Sequence, residues 1–437
     1  MNLPIVTIVG RPNVGKSTLF NRIIGRRQAI VDDQPGVTRD RNFAEGEWCG
    51  QAFLLADTGG YLPKSADVID QAVREQVEIA IEESDVVVLV VDARTGITTI
   101  DDDMARILKT SKKEYVLVVN KVDSPKDEPD IGQFYKLGLG DPSPISAMIG
   151  RGTGDFLDVI LEKISKIPII DKEETGIRLA VIGKENVGKS SLVNTLLREE
   201  RQIVTAVPGT TRDSIDARFR YKENEYLIID TAGLKKRTKI KENILFYSNL
   251  RTYRSIQRCD VVIYMVDAVK GVTKQDVQIM LEAANQRKGL VCVINKWDLI
   301  EKDHRTMNEL SKLVMERFGD LRYIPLIFTS VHEKQRLYKA LDLATKVYEE
   351  RNKRIPTSEL NNYFEPIFAK TTPPATRGKE VKIKYVTQVT ANPPVFVFYS
   401  NYPKLIADNY KQFIENRLRE KFGFIGVPLT MSYRDKK

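Results

Sequence analysis

The sequence predicts an α/β protein with one domain written twice. Two tandem domains, each a mostly parallel sheet with helices on both faces, are followed by a smaller α+β domain. Three observations carry this. An apolar run at 5–9 leads into Gly10-Arg11-Pro12-Asn13-Val14-Gly15-Lys16-Ser17, and a helical pattern follows. The same arrangement returns at Gly183-Lys184-Glu185-Asn186-Val187-Gly188-Lys189-Ser190. Continuous apolar runs such as 86–91 suit strands covered on both faces of a parallel sheet.

The bulk composition sets the bounds. A chain of 437 residues is too long for one ordinary core, so two to four domains are expected. With 42% hydrophobic and 29% charged residues, it reads as a globular protein. No apolar run reaches the ~20 residues of a membrane span. The N-terminus enters a strand without a secretory signal, so a cytoplasmic location and no membrane partner are expected. Cys49, Cys259 and Cys292 are widely separated, and the last two sit beside or within apolar runs. Buried thiols therefore fit better than disulfides or metal ligands. Only two histidines, His304 and His332, are present, which argues against a histidine-based zinc site or catalytic triad. The net charge of +9 is uneven: −7 over 1–171, +8 over 172–351 and +8 over 352–437. That asymmetry suits a polyanionic partner for the two basic parts, or an acidic domain docking on basic ones within the molecule.

Taken in order, the first module opens with a buried strand at 5–9, and residues 16–24 form a helix with Leu19, Phe20 and Ile23 on one face. The spacing between is that of a phosphate-binding loop. Its glycines let consecutive N–H groups point inward around an anion, and the helix N-terminus adds free N–H groups and a positive dipole end. Lys16 reaches the β- and γ-phosphates, and Ser17 can ligate Mg²⁺. In the loop Pro35-Gly36-Val37-Thr38-Arg39-Asp40, Thr38 can place its hydroxyl on Mg²⁺ and its N–H on the γ-phosphate, ordering only when that phosphate is present. A strand at 53–56 ends in Asp57-Thr58-Gly59-Gly60, followed by Tyr61. Asp57 can hold Mg²⁺ through water, and a following glycine N–H can contact the γ-phosphate. A strand at 116–119 ends in Asn120-Lys121-Val122-Asp123. Asp123 can accept from both N1–H and the exocyclic amine of guanine, a donor pair adenine lacks. Ser146-Ala147, after another strand end, completes the base pocket.

The second module repeats these motifs in order. Gly10 to Gly183, Pro35 to Pro208 and Asp57 to Asp230 are each 173 residues apart; Asp92 to Asp267 and Asn120 to Asn295 are each 175 apart. The counterparts are the loop 208–213 with Thr211, the motif Asp230-Thr231-Ala232-Gly233 followed by Leu234, the motif Asn295-Lys296-Trp297-Asp298, and Ser330-Val331. Such a constant offset marks duplication of a whole domain rather than a solenoid repeat. Metal ligands are then Ser17, Thr38, Asp57, Ser190, Thr211 and Asp230. The domains are placed at 1–167, 177–351 and 352–437, with a short charged linker at 168–176. In the last domain, helices are expected at 358–369 and 405–422, after a helix at 336–351 that closes the second module. Strands are expected at 381–389, 395–400 and 429–433, with Asn392-Pro393-Pro394 as a turn.

Four nucleotide motifs in this order resemble the translation-factor-like P-loop GTPases. Two such modules with Asn-Val-Gly-Lys-Ser loops, followed by Ile383-Lys384-Tyr385-Val386-Thr387-Gln388, Asn392-Pro393-Pro394 and the 410–423 helix text, resemble the Der (EngA) family of bacterial GTPases. The resemblance covers essentially the whole chain. It implies GTP hydrolysis with Mg²⁺, a role in assembly of the large ribosomal subunit, ribosomal RNA as partner, a monomeric protein and a KH-like C-terminal domain. A KH fold clamps RNA backbone with a GXXG loop between helices. Gly423-Phe424-Ile425-Gly426 has those letters but follows the last helix, which suits a helix cap. Lys184-Glu185 replaces the family's usual Arg-Pro, and those side chains point away from the phosphates in the family fold. Ser330-Val331-His332-Glu333 replaces the usual Ser-Ala.

Ras-like enzymes orient the attacking water with a glutamine after the Asp-x-x-Gly motif; here Tyr61 and Leu234 stand there. In related GTPases the loop asparagine helps bind K⁺ between the phosphates, so Asn13 and Asn186 join Lys16, Thr38, Lys189 and Thr211 as the catalytic set. The competing reading is a GTP-gated adaptor with negligible turnover of its own. The basic stretch 234–258, which includes Lys235, Lys236, Arg237, Arg254 and Arg258, is expected to touch RNA in one nucleotide state.

Overall fold

The computed structural model describes residues 3–28, 43–57, 80–81, 84–111, 113–167, 176–199, 216–230, 244–301, 303, 305–374 and 378–435. The chain forms two compact units: residues 1–173 with 237–257, and residues 174–236 with 258–437.

In the first unit six strands, β1 (Ile5–Val9), β2 (Phe43–Trp48), β3 (Gln51–Asp57), β4 (Val86–Asp92), β5 (Glu114–Asn120) and β6 (Ser143–Pro144), lie in the order β2-β3-β1-β4-β5-β6. Only β2 runs antiparallel, against β3. Alternation along β4 builds a core on each face. Val86, Val88 and Val90 meet Leu19, Phe20 and Ile23 of α1 (Lys16–Gln28) and Phe156 and Ile160 of α3 (Thr153–Ser165). Val87, Leu89 and Val91 meet Met104 and Leu108 of α2 (Thr99–Thr110) and Phe134. The apolar run 86–91 is thus a strand buried on both sides, as its composition requires.

The second unit repeats the sheet: β7 (Ile177–Gly183), β8 (Ala217–Tyr221), β9 (Asn224–Ile228), β10 (Val261–Asp267), β11 (Gly289–Asn295) and β12 (Leu326–Phe328), in the order β12-β11-β10-β7-β9-β8. Its helices are α4 (Lys189–Glu199), α6 (Lys274–Asn285), α7 (Thr306–Phe318) and α8 (Leu337–Asn352); α5 (Ile244–Arg258) lies between α4 and α6 in the chain. Residues 244–257 of α5 count with the first unit, where Arg254 pairs with Asp85 at 2.7 Å. Arg258, in the second, pairs with buried Asp216. Two cations of the basic stretch expected to touch RNA therefore already have carboxylate partners, and 231–243 lie outside the described residues.

The C-terminal elements are α9 (Thr357–Lys370), β13 (Ile383–Thr390), β14 (Val395–Ser400), α10 (Asp408–Phe422) and β15 (Thr430–Asp435). The sheet order is β13-β14-β15, with β14 antiparallel to β13 and parallel to β15. The helix expected from 405 begins three residues later. Pro403–Leu405 make a 3₁₀ turn and Ala407 is extended (ψ 148°), so the chain enters α10 only at Asp408. Phe364, Phe396, Phe398, Leu418 and Phe424 share one continuous apolar cluster with Val261, Val291, Leu341 and Val347 of the second six-stranded sheet and its helix α8.

Gly423 and Gly426 have structural roles. Gly423 (φ +88°) ends α10 and donates its N–H to Arg419 O. At Gly426 (φ +71°) a Cβ would lie 2.5 Å from Val347 Cγ2 and 2.6 Å from Leu290 O. Its carbonyl accepts from Leu290 N and its N–H donates to Tyr323 O, each at 2.8 Å. This is a backbone seam joining the C-terminal segment to β11, and only glycine fits it.

Candidate functional site

Both candidate pockets sit at the carboxyl ends of the parallel strands, where open α/β sheets bind ligands. Each has a loop after the first strand whose geometry is set by backbone angles few residues accept. Asn13 and Asn186 have φ of 63° and 61°. Gly15 and Gly188 have φ of +98° and +101°, and a Cβ on either would fall 2.3 or 2.4 Å from the Nδ2 of Asn120 or Asn295. The glycines are therefore demanded by the base motif lying against them.

The phosphate loops close on their lysines. Lys16 Nζ donates to the carbonyls of Gly10 and Arg11 at 2.7 and 2.8 Å. Lys189 Nζ donates to those of Gly183 and Lys184, both at 2.6 Å. Burial pushes the Lys16 ammonium down from 10.5 to about 8, against the opposing pull of Asp57. Burial lowers Lys189 as well. An ammonium that has lost part of its hydration is poised to gain from a phosphate.

The base motifs tie back to the same loops. Asn120 Nδ2 donates to Val14 O at 2.7 Å and its Oδ1 accepts from Ala147 N at 2.9 Å. Asn295 repeats this with Val187 O at 2.8 Å and Val331 N at 3.0 Å. The divergent 330–333 text thus presents the same N–H to the same asparagine. Asp123 Oδ1 accepts the Ser146 hydroxyl at 2.6 Å. Val122 and Trp297, counted from sequence among the ligand residues, are buried (2% and 5% exposed) and give their N–H groups to Ile145 O and Thr329 O. They anchor the motif to the core. Val14 and Val187 are buried likewise.

Arg11 and Lys184, the second residues of the loops, turn to a carboxylate. Arg11 Nε reaches Asp101 Oδ2 at 3.3 Å, and Lys184 Nζ reaches Asp276 Oδ2 at 3.4 Å. Asp101 and Asp276 are both buried, and each closes the capping box of its helix, α2 or α6, with Thr98 or Thr273. The Arg-to-Lys change conserves this tether, which explains how Lys184 replaces arginine. Among the described residues, Pro12 and Glu185, the third loop residues, make no such tether.

Sequence reasoning missed one further pair. Asp92 Oδ2 binds Lys121 Nζ at 2.6 Å while its Oδ1 accepts Arg94 N at 3.0 Å. Asp267 does the same with Lys296 at 2.6 Å and Val269 N at 2.9 Å. Their constant offset was visible as spacing, but nothing local names their partner 29 residues on. Lys121 also donates to Asn13 O at 2.8 Å.

Ser17 and Ser190 lie in the first turns of α1 and α4. Asp57, 2% exposed, ends β3, and the register Ile8↔Asp57 sets it beside the strand that feeds the loop. Asp230 (φ +59°) follows β9, its N–H bound to Asp216 Oδ1 at 2.9 Å. These are hard oxygen donors, the chemistry that suits Mg²⁺. Thr38, Thr58, Gly59, Gly60, Tyr61, Thr211, Thr231, Ala232, Gly233 and Leu234 lie outside the described residues. Cys259 and Cys292 are buried as expected, and burial raises both thiols, Cys259 to about 11. Cys49 is exposed.

The model of the 50S ribosome-binding GTPase family matches residues 5–121 and again 178–296. That of the KH-domain-like C-terminal region of EngA bacterial GTPase enzymes matches 354–434. The chain is 48% identical over 435 residues to GTPase Der of Chloroherpeton thalassium, covering 99% of this chain and 100% of that one. It is 48% identical over 433 residues to GTPase Der of Thermoanaerobacter pseudethanolicus, covering 99% and 98%. Among solved structures, Era in complex with MgGDPNP and a segment of 16S ribosomal RNA aligns at 20% identity with a TM-score of 0.31, over 60% of this chain and 94% of that one. No helix among the described residues is long and apolar enough to cross a membrane.

Proposed function

The chain belongs to the Der (EngA) family of GTPases, and from that premise we propose that it is a two-switch GTP hydrolase acting in assembly of the large ribosomal subunit. GTP binding and hydrolysis follow from the family, and the GTPase fold implies dependence on Mg²⁺. The particle and the RNA partner are the proposal. The supporting observation is that both modules keep the same bonds between base motif and phosphate loop. We therefore read both copies as working pockets. A basic C-terminal portion adds the charge an RNA surface requires, and cytoplasmic location as a monomer completes the reading.

In each pocket the loop N–H groups and the lysine, Lys16 or Lys189, would hold the β- and γ-phosphates, and Asp123 or Asp298 would select guanine. Ser17 with Asp57, and Ser190 with Asp230, would hold Mg²⁺, joined by Thr38 and Thr211. When bound, the metal neutralises charge developing between the phosphates. Asn13 and Asn186 would add K⁺ ligation there. Turnover is therefore expected to fall at least several-fold when Na⁺ replaces K⁺, read by phosphate release; equal rates in both salts discard the K⁺ role.

Co-sedimentation with ribosomal subunits tests the larger claim. With GTP the chain should travel with the large subunit and with GDP it should not, and Lys16→Ala and Lys189→Ala should each weaken the association. Co-sedimentation that ignores the nucleotide, or that follows the small subunit, rejects it.

A further inference from the structure

We propose that Arg94 tunes the first base pocket by competing with guanine for Asp123, a contact that Val269, at the same place in the second module, cannot make. The inference rests on the base-pocket reading above. Arg94 Nη2 lies 2.5 Å from Asp123 Oδ2. The other oxygen, Oδ1, carries the Ser146 hydroxyl. Both carboxylate oxygens that the N1–H and amine of guanine address are thus engaged within the chain. A guanidinium at that distance also offsets the negative charge that makes Asp123 a strong acceptor.

The second module provides an internal control. Asp92 and Asp267 hold the backbone two residues on by the same N–H bond, and hold Lys121 and Lys296 by the same ion pair. Strand registers agree too, with Asp92 opposite Asn120 and Asp267 opposite Asn295. On this common scaffold the side chain two residues past the aspartate differs in kind. One is a cation reaching the guanine-selecting carboxylate; the other is an apolar valine, 60% exposed. An exposed valine at a ligand mouth gives up nothing in packing if replaced, so the site is open to the reciprocal exchange.

The exposures set the size of the effect. With Arg94 66% and Asp123 35% exposed, the pair is solvent-screened and worth little alone, equivalent to about a 2- to 5-fold change in affinity. Its contribution must fade as salt shortens the screening length.

The test uses full-length chains and a fluorescent GDP. In a Lys189→Ala background, which isolates the first pocket, Arg94→Ala should tighten binding about 2- to 5-fold at ~50 mM salt, with the gain vanishing near ~500 mM. In a Lys16→Ala background, Val269→Arg should weaken the second pocket by a similar factor with the same salt dependence. An Arg94→Ala chain that binds no tighter at low salt overturns the proposal, as does a gain that salt leaves untouched or a Val269→Arg chain of unchanged affinity. Equal binding of a fluorescent ADP would instead show that the base-pocket reading itself is wrong.

Discussion

Lys16 shows how a single residue carries both folding and ligand chemistry. Its ammonium is held by two loop carbonyls and lowered to about 8 by burial. Between about 8 and 10.5 the unfolded chain keeps a proton that the folded chain has released, so this group makes stability rise with pH across that window. A phosphate favours the charged form and reverses the shift on binding. Nucleotide affinity at the first pocket is therefore expected to fall as pH rises through 8, with up to one proton taken up per nucleotide near that pH. Calorimetry in two buffers of different ionisation enthalpy reads the uptake directly; none at pH 8–8.5 contradicts the assignment. The lysine itself was legible in the sequence because a loop motif names it. Asp92, Asp267, Asp101 and Asp276 were not, since their partners lie 29 to 92 residues away and no local period points to them. Asp101 keeps one buried oxygen that meets no partner among the described residues, whereas Asp276 receives the Tyr264 hydroxyl at 3.0 Å. The two copies thus differ in a polar detail that neither motif records.

Among the elements, strands and helices followed their apolar periods closely. The 395–400 strand is found as Val395–Ser400 and the 358–369 helix as Thr357–Lys370. The early start expected for α10 came from the apolar pair Leu405-Ile406, where the chain is still finishing a 3₁₀ turn and Ala407 is extended. Gly423 caps α10 as its position suggests, but no local signal marks Gly426 as pressed against β11 and α8. That contact yields a firm expectation. Gly426→Ala forces a methyl into Val347 and the Leu290 carbonyl and should destabilise the second unit by about 1–3 kcal/mol. Chemical denaturation measures it, and a loss below about 0.5 kcal/mol means that the seam relaxes freely.

For the molecule as a whole, duplication was the most legible feature and the division into units the least. Separate family models match 178–296 and 354–434, yet one apolar cluster runs through both stretches. Shared burial couples unfolding. Scanning calorimetry should show the second GTPase sheet and the C-terminal domain melting in one transition, with the first unit in another. A separate transition for 352–437 argues against that coupling. Within the first pocket, Lys121 links Asp92, on the side that frames the purine, to the Asn13 carbonyl in the loop that grips the phosphates. One side chain therefore ties the base motif to the phosphate loop. Strain set up at one motif passes to the other through this tie, so a base that fits the Asn120–Asp123 motif poorly is expected to weaken the grip of the loop as well.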